Sequence, residues 1–142
     1  MRKPAALRAH LVGAIPALQR DADRLLLFVD AGSVSGTFVP GGSFRYAYTL
    51  NVIATDMSGD PDRLMFHLME WVRAEQPDLM SNPSRREEVR FEVDVLANDK
   101  YDLSIKLPVS EVVIVSIDPD GQTAFGNPLE PEPAAEWLAV SG

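Results

Sequence analysis

The sequence of 142 residues contains no cysteine. This absence excludes disulfide bonds, cysteine zinc sites and thiol catalysis. A chain of this length does not require such cross-links, because a domain of roughly 100–150 residues can bury a sufficient apolar core. We therefore expect one domain that is stabilised by packing alone, which is compatible with a reducing compartment.

Basic residues are also scarce. The chain has 13 lysines and arginines against 21 aspartates and glutamates, so its formal net charge is −8. Proteins that bind nucleic acid through its phosphates usually carry an excess of positive charge. The charge balance thus predicts no specific binding of DNA or RNA.

Long apolar runs are missing as well, since none reaches the ~18 residues of a membrane-spanning helix. We therefore expect no membrane association. The N-terminus begins with basic residues like a signal peptide, but Arg8, His10 and Pro16 interrupt its apolar positions and no small-residue cleavage site follows. We interpret residues 4–19 as a structural helix in a soluble intracellular protein.

The remaining periodicities predict an α+β fold. A second helix is expected between Asp60, a candidate N-cap, and Pro77. Strand patterns fill most of the rest, over residues 23–32, 43–56, 87–95, 101–111 and 111–118. The order of elements predicts a single domain with a mixed, mostly antiparallel sheet and two main helices packed on one face.

The composition changes after Asp118. We predict a domain over residues 1–118 and an extended or disordered C-terminal arm over residues 119–142. The arm contains Leu129, Trp137 and Leu138, apolar side chains that could dock on another surface.

The stretch "EEVRFEVDVLAND", residues 87–99, alternates charged with apolar side chains. A hairpin turn at "ND" places Glu92 and Asp94 across from the strand "YDLSIKLPVSE" on one polar face. An acid/base pair would need an apolar setting, which this alternation does not provide. The nearby oxygen-bearing residues lack the glycine and closing glutamate of a calcium loop.

We therefore interpret this polar face as a candidate subunit interface. The long strand over 43–56 adds two tyrosines to the candidates, although core packing is the expected role of its aromatic row. The candidate interface residues are Arg90, Glu92, Asp94, Asp102, Lys106, Tyr46 and Tyr48.

No pattern predicts catalysis. His10 and His67 fall on predicted helices, where a surface or core-edge position is expected. No nucleophile elbow is present, and "SGTFVPGG" lacks the lysine of a phosphate-binding loop. We predict no catalytic, cofactor-binding or metal-binding residues, and a binding or assembly protein in preference to an enzyme.

Several segments, in this order and spacing, resemble the phage tail completion protein R family of temperate, contractile-tailed phages. The segments are "DRLLLFVD", "YTLNVI" with "GDPD", and "RFEVDVL" with "DLSIKLP". The resemblance covers most of the chain but is poor after about residue 118.

The resemblance implies a structural protein of the virion tail, assembled in the cytoplasm of the host bacterium. It would complete the tail tube at its head-proximal end and prepare it for head joining, with a tail-terminator-like fold. Its implied partners are the tail tube protein, a head completion or connector protein, and further copies of itself. By analogy with other tail terminators, which act as six-fold rings, the copies would form a ring through which DNA passes.

Two alternatives remain open at this point. One is a small α+β ligand-binding domain or enzyme subunit with a pocket between the Phe44–Tyr48 face and the helix at 64–72. The other is a tail-assembly chaperone, which would act on the tube protein and be missing from the finished particle.

Overall fold

A computed structural model of the chain describes residues 1–36 and 42–128. Its helices are α1 (Lys3–Ala14), α2 (Pro16–Arg20), α3 (Asp62–Glu75) and α4 (Asp78–Ser81). Its strands are β1 (Leu25–Gly36), β2 (Phe44–Ser58), β3 (Arg90–Val95), β4 (Lys100–Ile117) and β5 (Thr123–Gly126). Every strand pair is antiparallel, so the predicted α+β class is confirmed.

The sheet has the spatial order β1-β2-β4-β3, and β5 pairs with the far end of β4. β4 merges the two strands that were expected over 101–111 and 111–118 into one. Pro108 does not interrupt it. Ser110, two residues later, directs its N–H away from β2 to Gln76 Oε1 at 3.1 Å. Residues two apart in a strand direct their backbone groups to the same side, so Pro108 also faces away from β2. No described strand pairs with β4 on that side at Pro108, so the missing N–H of proline breaks no hydrogen bond of the sheet.

One face of the sheet is covered by the helices and holds the apolar core. The odd-numbered positions of β4 from Tyr101 to Val109 alternate into this core, as do the even-numbered positions of β2 from Tyr48 to Ala54. This two-residue period follows directly from strand geometry. The core is completed from the helices by Leu7, Leu11, Ile15, Leu18, Leu64, Leu68, Trp71, Val72 and Leu79.

The helix ends follow local sequence signals. Pro16 separates α1 from α2, because proline cannot donate the hydrogen bond that would continue the first helix. At the start of α3 the Asp60 carboxylate accepts the N–H of Asp62 at 2.9 Å, and Pro61 precedes the first turn. Among the described residues, no helix is long and apolar enough to cross a membrane.

The β3–β4 hairpin turns where the sequence predicted. Asn98 and Asp99 both have positive φ angles, of 65° and 57°, which asparagine and aspartate tolerate better than most residues. The Leu96 N–H closes the turn on the Lys100 carbonyl at 2.8 Å.

The predicted domain boundary at Asp118 lies in the turn between β4 and β5. The Asp118 carboxylate accepts the N–H groups of Asp120 and Gln122, and β5 then pairs with residues 114–117 of β4. Part of the expected arm is therefore in the sheet. The remainder, including Leu129, Trp137 and Leu138, lies outside the described residues, and its division from the domain stays a prediction.

We predict that Leu68→Ala lowers the free energy of unfolding by about 2–5 kcal/mol, because this leucine is fully buried between α3 and the sheet. Phe66→Ala, on the exposed side of the same helix, should cost less than about 1 kcal/mol. Urea unfolding followed by tryptophan fluorescence measures both. Equal losses would contradict the assigned packing of α3.

Candidate functional site

The sheet face opposite the helices has no second layer among the described residues, and we call it the open face. All five charged candidates lie on it. Arg90 is opposite Lys106, Glu92 opposite Ser104, and Asp94 opposite Asp102, as the hairpin prediction required.

The open face carries like charges opposite one another. Arg90 and Lys106 form a like-charged pair at one end of the hairpin, and Asp94 and Asp102 form another at the other end. Like charges directly opposite one another destabilise a strand pair. No ion pair joins these residues to any other described residue. The surface therefore presents separate basic and acidic ends that a complementary partner could neutralise.

The open face also carries apolar groups. Leu26 and Phe28 of β1 are exposed beside Ile53 and Asn51 of β2. Asn51 is only 4% exposed, and its side-chain Nδ2 has no hydrogen-bond partner among the described residues. Buried polar atoms are normally paired. The exposed Leu26 and Phe28 suit a contact surface better than a fully solvated one, whereas the buried Asn51 amide presents no group to a partner.

The two tyrosine candidates lie on the opposite, helix-covered face. Tyr46 is partly buried against the core and its ring meets that of Phe44 edge to face at 5.3 Å. Tyr48 is 5% exposed, so its side chain presents no surface to a neighbouring subunit. Core packing was the expected role of this aromatic row. Both tyrosines lie on the opposite face of the sheet from the five charged interface candidates.

Tyr48 belongs to a buried polar cluster that the sequence analysis missed. Its hydroxyl donates to Glu111 Oε2 at 2.5 Å. The other Glu111 oxygen accepts the backbone N–H groups of Arg2 and Lys3, at 2.7 and 3.2 Å. These are the first donors of α1, so a carboxylate on β4 caps a helix distant in sequence and complements the positive end of its dipole.

The same cluster continues to the end of α3. Lys3 Nζ donates to Gln76 Oε1 at 3.0 Å and to the carbonyl of Glu75. Gln76 also accepts the N–H of Ser110 and donates to its hydroxyl at 3.1 Å. Three elements, α1, α3 and β4, are thereby joined by buried polar contacts. The sequence feature that could have revealed this cluster is Glu111, a charged residue at an odd, core-facing position of β4.

The chemistry of this cluster is structural. Burial, followed by the hydrogen bond to Glu111 and the charge of that carboxylate, raises the pKa of Tyr48 well above its ordinary value. A phenol held neutral in this way donates a hydrogen bond but is a poor proton acceptor.

The two histidines meet between α1 and α3. His10 Nε2 contacts the His67 carbonyl at 2.9 Å, and His67 Nδ1 contacts Glu70 Oε1 at 2.5 Å. The ligand atoms of His10, His67 and Glu70 lie within 4.8 Å of one another, and such atoms could hold a zinc-type ion. His10 Nε2 and His67 Nδ1 each already have a protein partner. These contacts explain the cluster as a link between the two helices.

One cleft among the described residues lies away from the Phe44–Tyr48 face, where the alternative interpretation placed a ligand pocket. That cleft, of about 790 Å³, is lined by residues from the start of α2, the end of β2 and the start of α3. Its polar groups include Asp60, Asp62 and Arg63. Phe44, Tyr46 and Tyr48 take no part in its lining.

Comparison with known proteins agrees with the resemblance noted in the sequence. A family model described as P2 phage tail completion protein R (GpR) matches residues 1–133. Tail completion protein R of Escherichia phage P2 is 38% identical over 134 residues, which cover 94% of this chain and 86% of that protein. The chain belongs to the P2 phage tail completion protein R family. No solved structure matches it.

Membership of the tail completion protein R family makes the chain a structural protein of phage tail completion. The family match extends past residue 118, where the sequence resemblance became poor. The family is not a known enzyme family.

We predict that Tyr48→Phe lowers the free energy of unfolding by about 1.5–3 kcal/mol at pH 7, since it removes a buried hydrogen bond to a carboxylate. Tyr46→Phe is the matched control and should change little, because the Tyr46 hydroxyl makes no hydrogen bond to a described residue while its ring packs against the core.

The pH dependence provides a second test. The folded-state pKa of Tyr48 is raised, so its stabilising contribution is complete below about pH 10, the ordinary tyrosine value, and is lost as pH rises above it. Chemical unfolding between pH 7 and 11 should therefore show the difference between wild type and Tyr48→Phe shrinking. A constant difference would contradict the assigned hydrogen bond.

Proposed function

We propose that this protein terminates the tail tube at its head-proximal end and prepares that end for head joining. It acts there as a ring of identical subunits, in contact with the tail tube protein on one side and a head completion or connector protein on the other. Assembly takes place in the cytoplasm of the host bacterium, and the protein remains in the virion tail.

Membership of the tail completion protein R family is the observation that carries this proposal. We infer the position at the tube end from what completion of a tube requires. Growth must stop at one end, and that end must become able to bind another structure.

The open face supports an assembly role. A ring subunit needs two different, mutually complementary surfaces, because head-to-tail contacts are heterologous. Among the described residues, no ion pair neutralises the basic end at Arg90 and Lys106 or the acidic end at Asp94 and Asp102. Charge patterns of this kind select a partner and its orientation more than they add affinity.

The acidic balance of the chain fits a channel for DNA. A net charge of −8 repels phosphate on average, so DNA passing through a ring would not be retained by its wall. This is the opposite of what a nucleic-acid binding role would require.

Deletion of the gene from its parent phage or prophage is the primary test. We expect electron micrographs of the induced lysate to show filled heads beside unattached or overlong tails, and complementation to restore joined particles. An epitope-tagged copy should be found in purified tails. Normal joined particles after deletion would overturn the proposal, and a functional tagged protein that is missing from finished tails would favour a chaperone.

The role of the open face is tested by charge reversal. We predict that Glu92→Lys with Asp94→Lys lowers the yield of joined particles by about tenfold or more, because it replaces the acidic end of the open face with positive charge. Asp23→Lys with Asp120→Lys makes the same change in charge at exposed sites outside this face. Equal yields from both double variants would remove the open face from the assembly surface.

A further inference from the structure

Both outer edges of the sheet are exposed and partly apolar. β1 forms one edge, where Val29 is 41% exposed beside the exposed Phe28. β3 forms the other, where Phe91 is 59% exposed and Val95 is more exposed still. No described strand pairs with the outer side of either one. Uncovered apolar edges promote pairing with other chains, so a stable protein normally protects them or uses them.

The directions of the strands make the two edges complementary. Neighbours along β1-β2-β4-β3 are antiparallel throughout, and this path contains an even number of strands. A second copy placed in the plane of the sheet therefore sets its β1 antiparallel to β3 of the first. The helix layers of both copies then lie on the same side of the joined sheet, and so do their open faces.

The backbone groups that such a joint needs are available. The outward N–H of Ser110 shows that even positions of β4 face β3, so the odd positions of β3, including Phe91 and Val93, point their N–H and C=O groups away from β4. By the same alternation Leu27 and Val29 of β1 point outward. The neighbouring carbonyl of Leu25 is already taken by Arg8 at 2.8 Å, so the free part of this edge begins after it.

Length and charge select one register. β3 has six residues, and β1 is regular over the six residues from Leu25 to Asp30, before a bulge at Ala31 with φ 36°. Aligning these segments places Arg90 opposite Asp30 and Phe91 opposite Val29. The alignment puts the opposite charges of Arg90 and Asp30 together and sets the exposed Phe91 beside Val29. It places Glu92 and Asp94 opposite Phe28 and Leu26, and no like charges opposite each other.

We propose that copies of this protein join edge to edge, with residues 90–94 of β3 in one subunit paired to residues 26–30 of β1 in the next and Arg90 opposite Asp30. The inference rests on the proposed ring and specifies its subunit interface. The contact is heterologous, so it generates a closed ring when the rotation between subunits closes. The joined sheet then runs around the ring with all helices on one side.

A cysteine pair tests the register directly. Asp30 and Arg90 direct their backbone groups into their own subunits, so they would form a non-hydrogen-bonded pair with Cα atoms about 4.5 Å apart, within the range of a disulfide. The chain has no cysteine of its own. The variant Asp30→Cys with Arg90→Cys, incorporated into tails and mildly oxidised, should therefore give a ladder of covalent oligomers on a non-reducing gel.

The matched control is Asp30→Cys with Asp94→Cys. It has the same number of thiols on the same two strands, but Asp94 is displaced by four residues, or roughly 13 Å at ~3.3 Å per residue. We expect at least about tenfold less cross-linking, since that separation exceeds what a disulfide spans. Equal cross-linking of both pairs, or none in the Asp30–Arg90 pair, would overturn the proposed register.

A charge exchange keeps the test decisive if the cysteine variant fails to enter tails. Asp30→Arg and Arg90→Asp should each reduce incorporation into tails, and the double variant should restore it. A double variant as defective as the singles would overturn the interface.

The gene deletion separates the two proposals. If wild-type protein completes tails in the deletion strain but neither the cross-link nor the exchange behaves as expected, the edge pairing is wrong and the tail-end role stands. If deletion leaves tails normal, the tail-end role itself is wrong.

Discussion

The pairing of β2 with β4 is the contact on which the other elements depend. The two strands align from Phe44 to Ser58 against Lys100 to Val113, and a two-residue period sends alternate side chains to opposite faces. Because the apolar set is continuous on one face, a slip of one residue would move the core to solvent. The helices can therefore cover only that face. The charged residues of the hairpin are left on the open face, and β1 and β3 become the two outer edges of the described sheet.

Glu111 provides the second constraint, because it fastens the chain's first residues to this pair of strands. A carboxylate that is buried needs compensating donors. It receives them from Tyr48 on β2 and from the first N–H groups of α1. Lys3 and Gln76 extend the same contacts to the end of α3. The scaffold is thus held together on its helix side by interactions independent of the open face and edges, which remain free to contact other subunits.

The sequence predicted those features that depend on local periodicity. The buried positions of α1 and α3, the hairpin register at Glu92 and the α+β class all follow from spacing and turn residues. It did not predict that β4 continues through Pro108, because this depends on which side of the strand is paired. It also missed the Glu111 cluster, whose donors come from residues far away in the chain. The edge complementarity depends on strand order, which periodicity does not determine.

We propose that subunits join through β1 and β3 at the head-proximal end of the tail. Cryo-electron microscopy of isolated tails is the decisive measurement, because it images the tube end with its own partners in place. We expect a ring of this protein at that end, with one sheet continuing from each subunit to the next and Arg90 beside Asp30 of its neighbour. A ring whose subunits touch only through their helices would contradict the edge pairing, and a tube end without this protein would contradict the tail-end role.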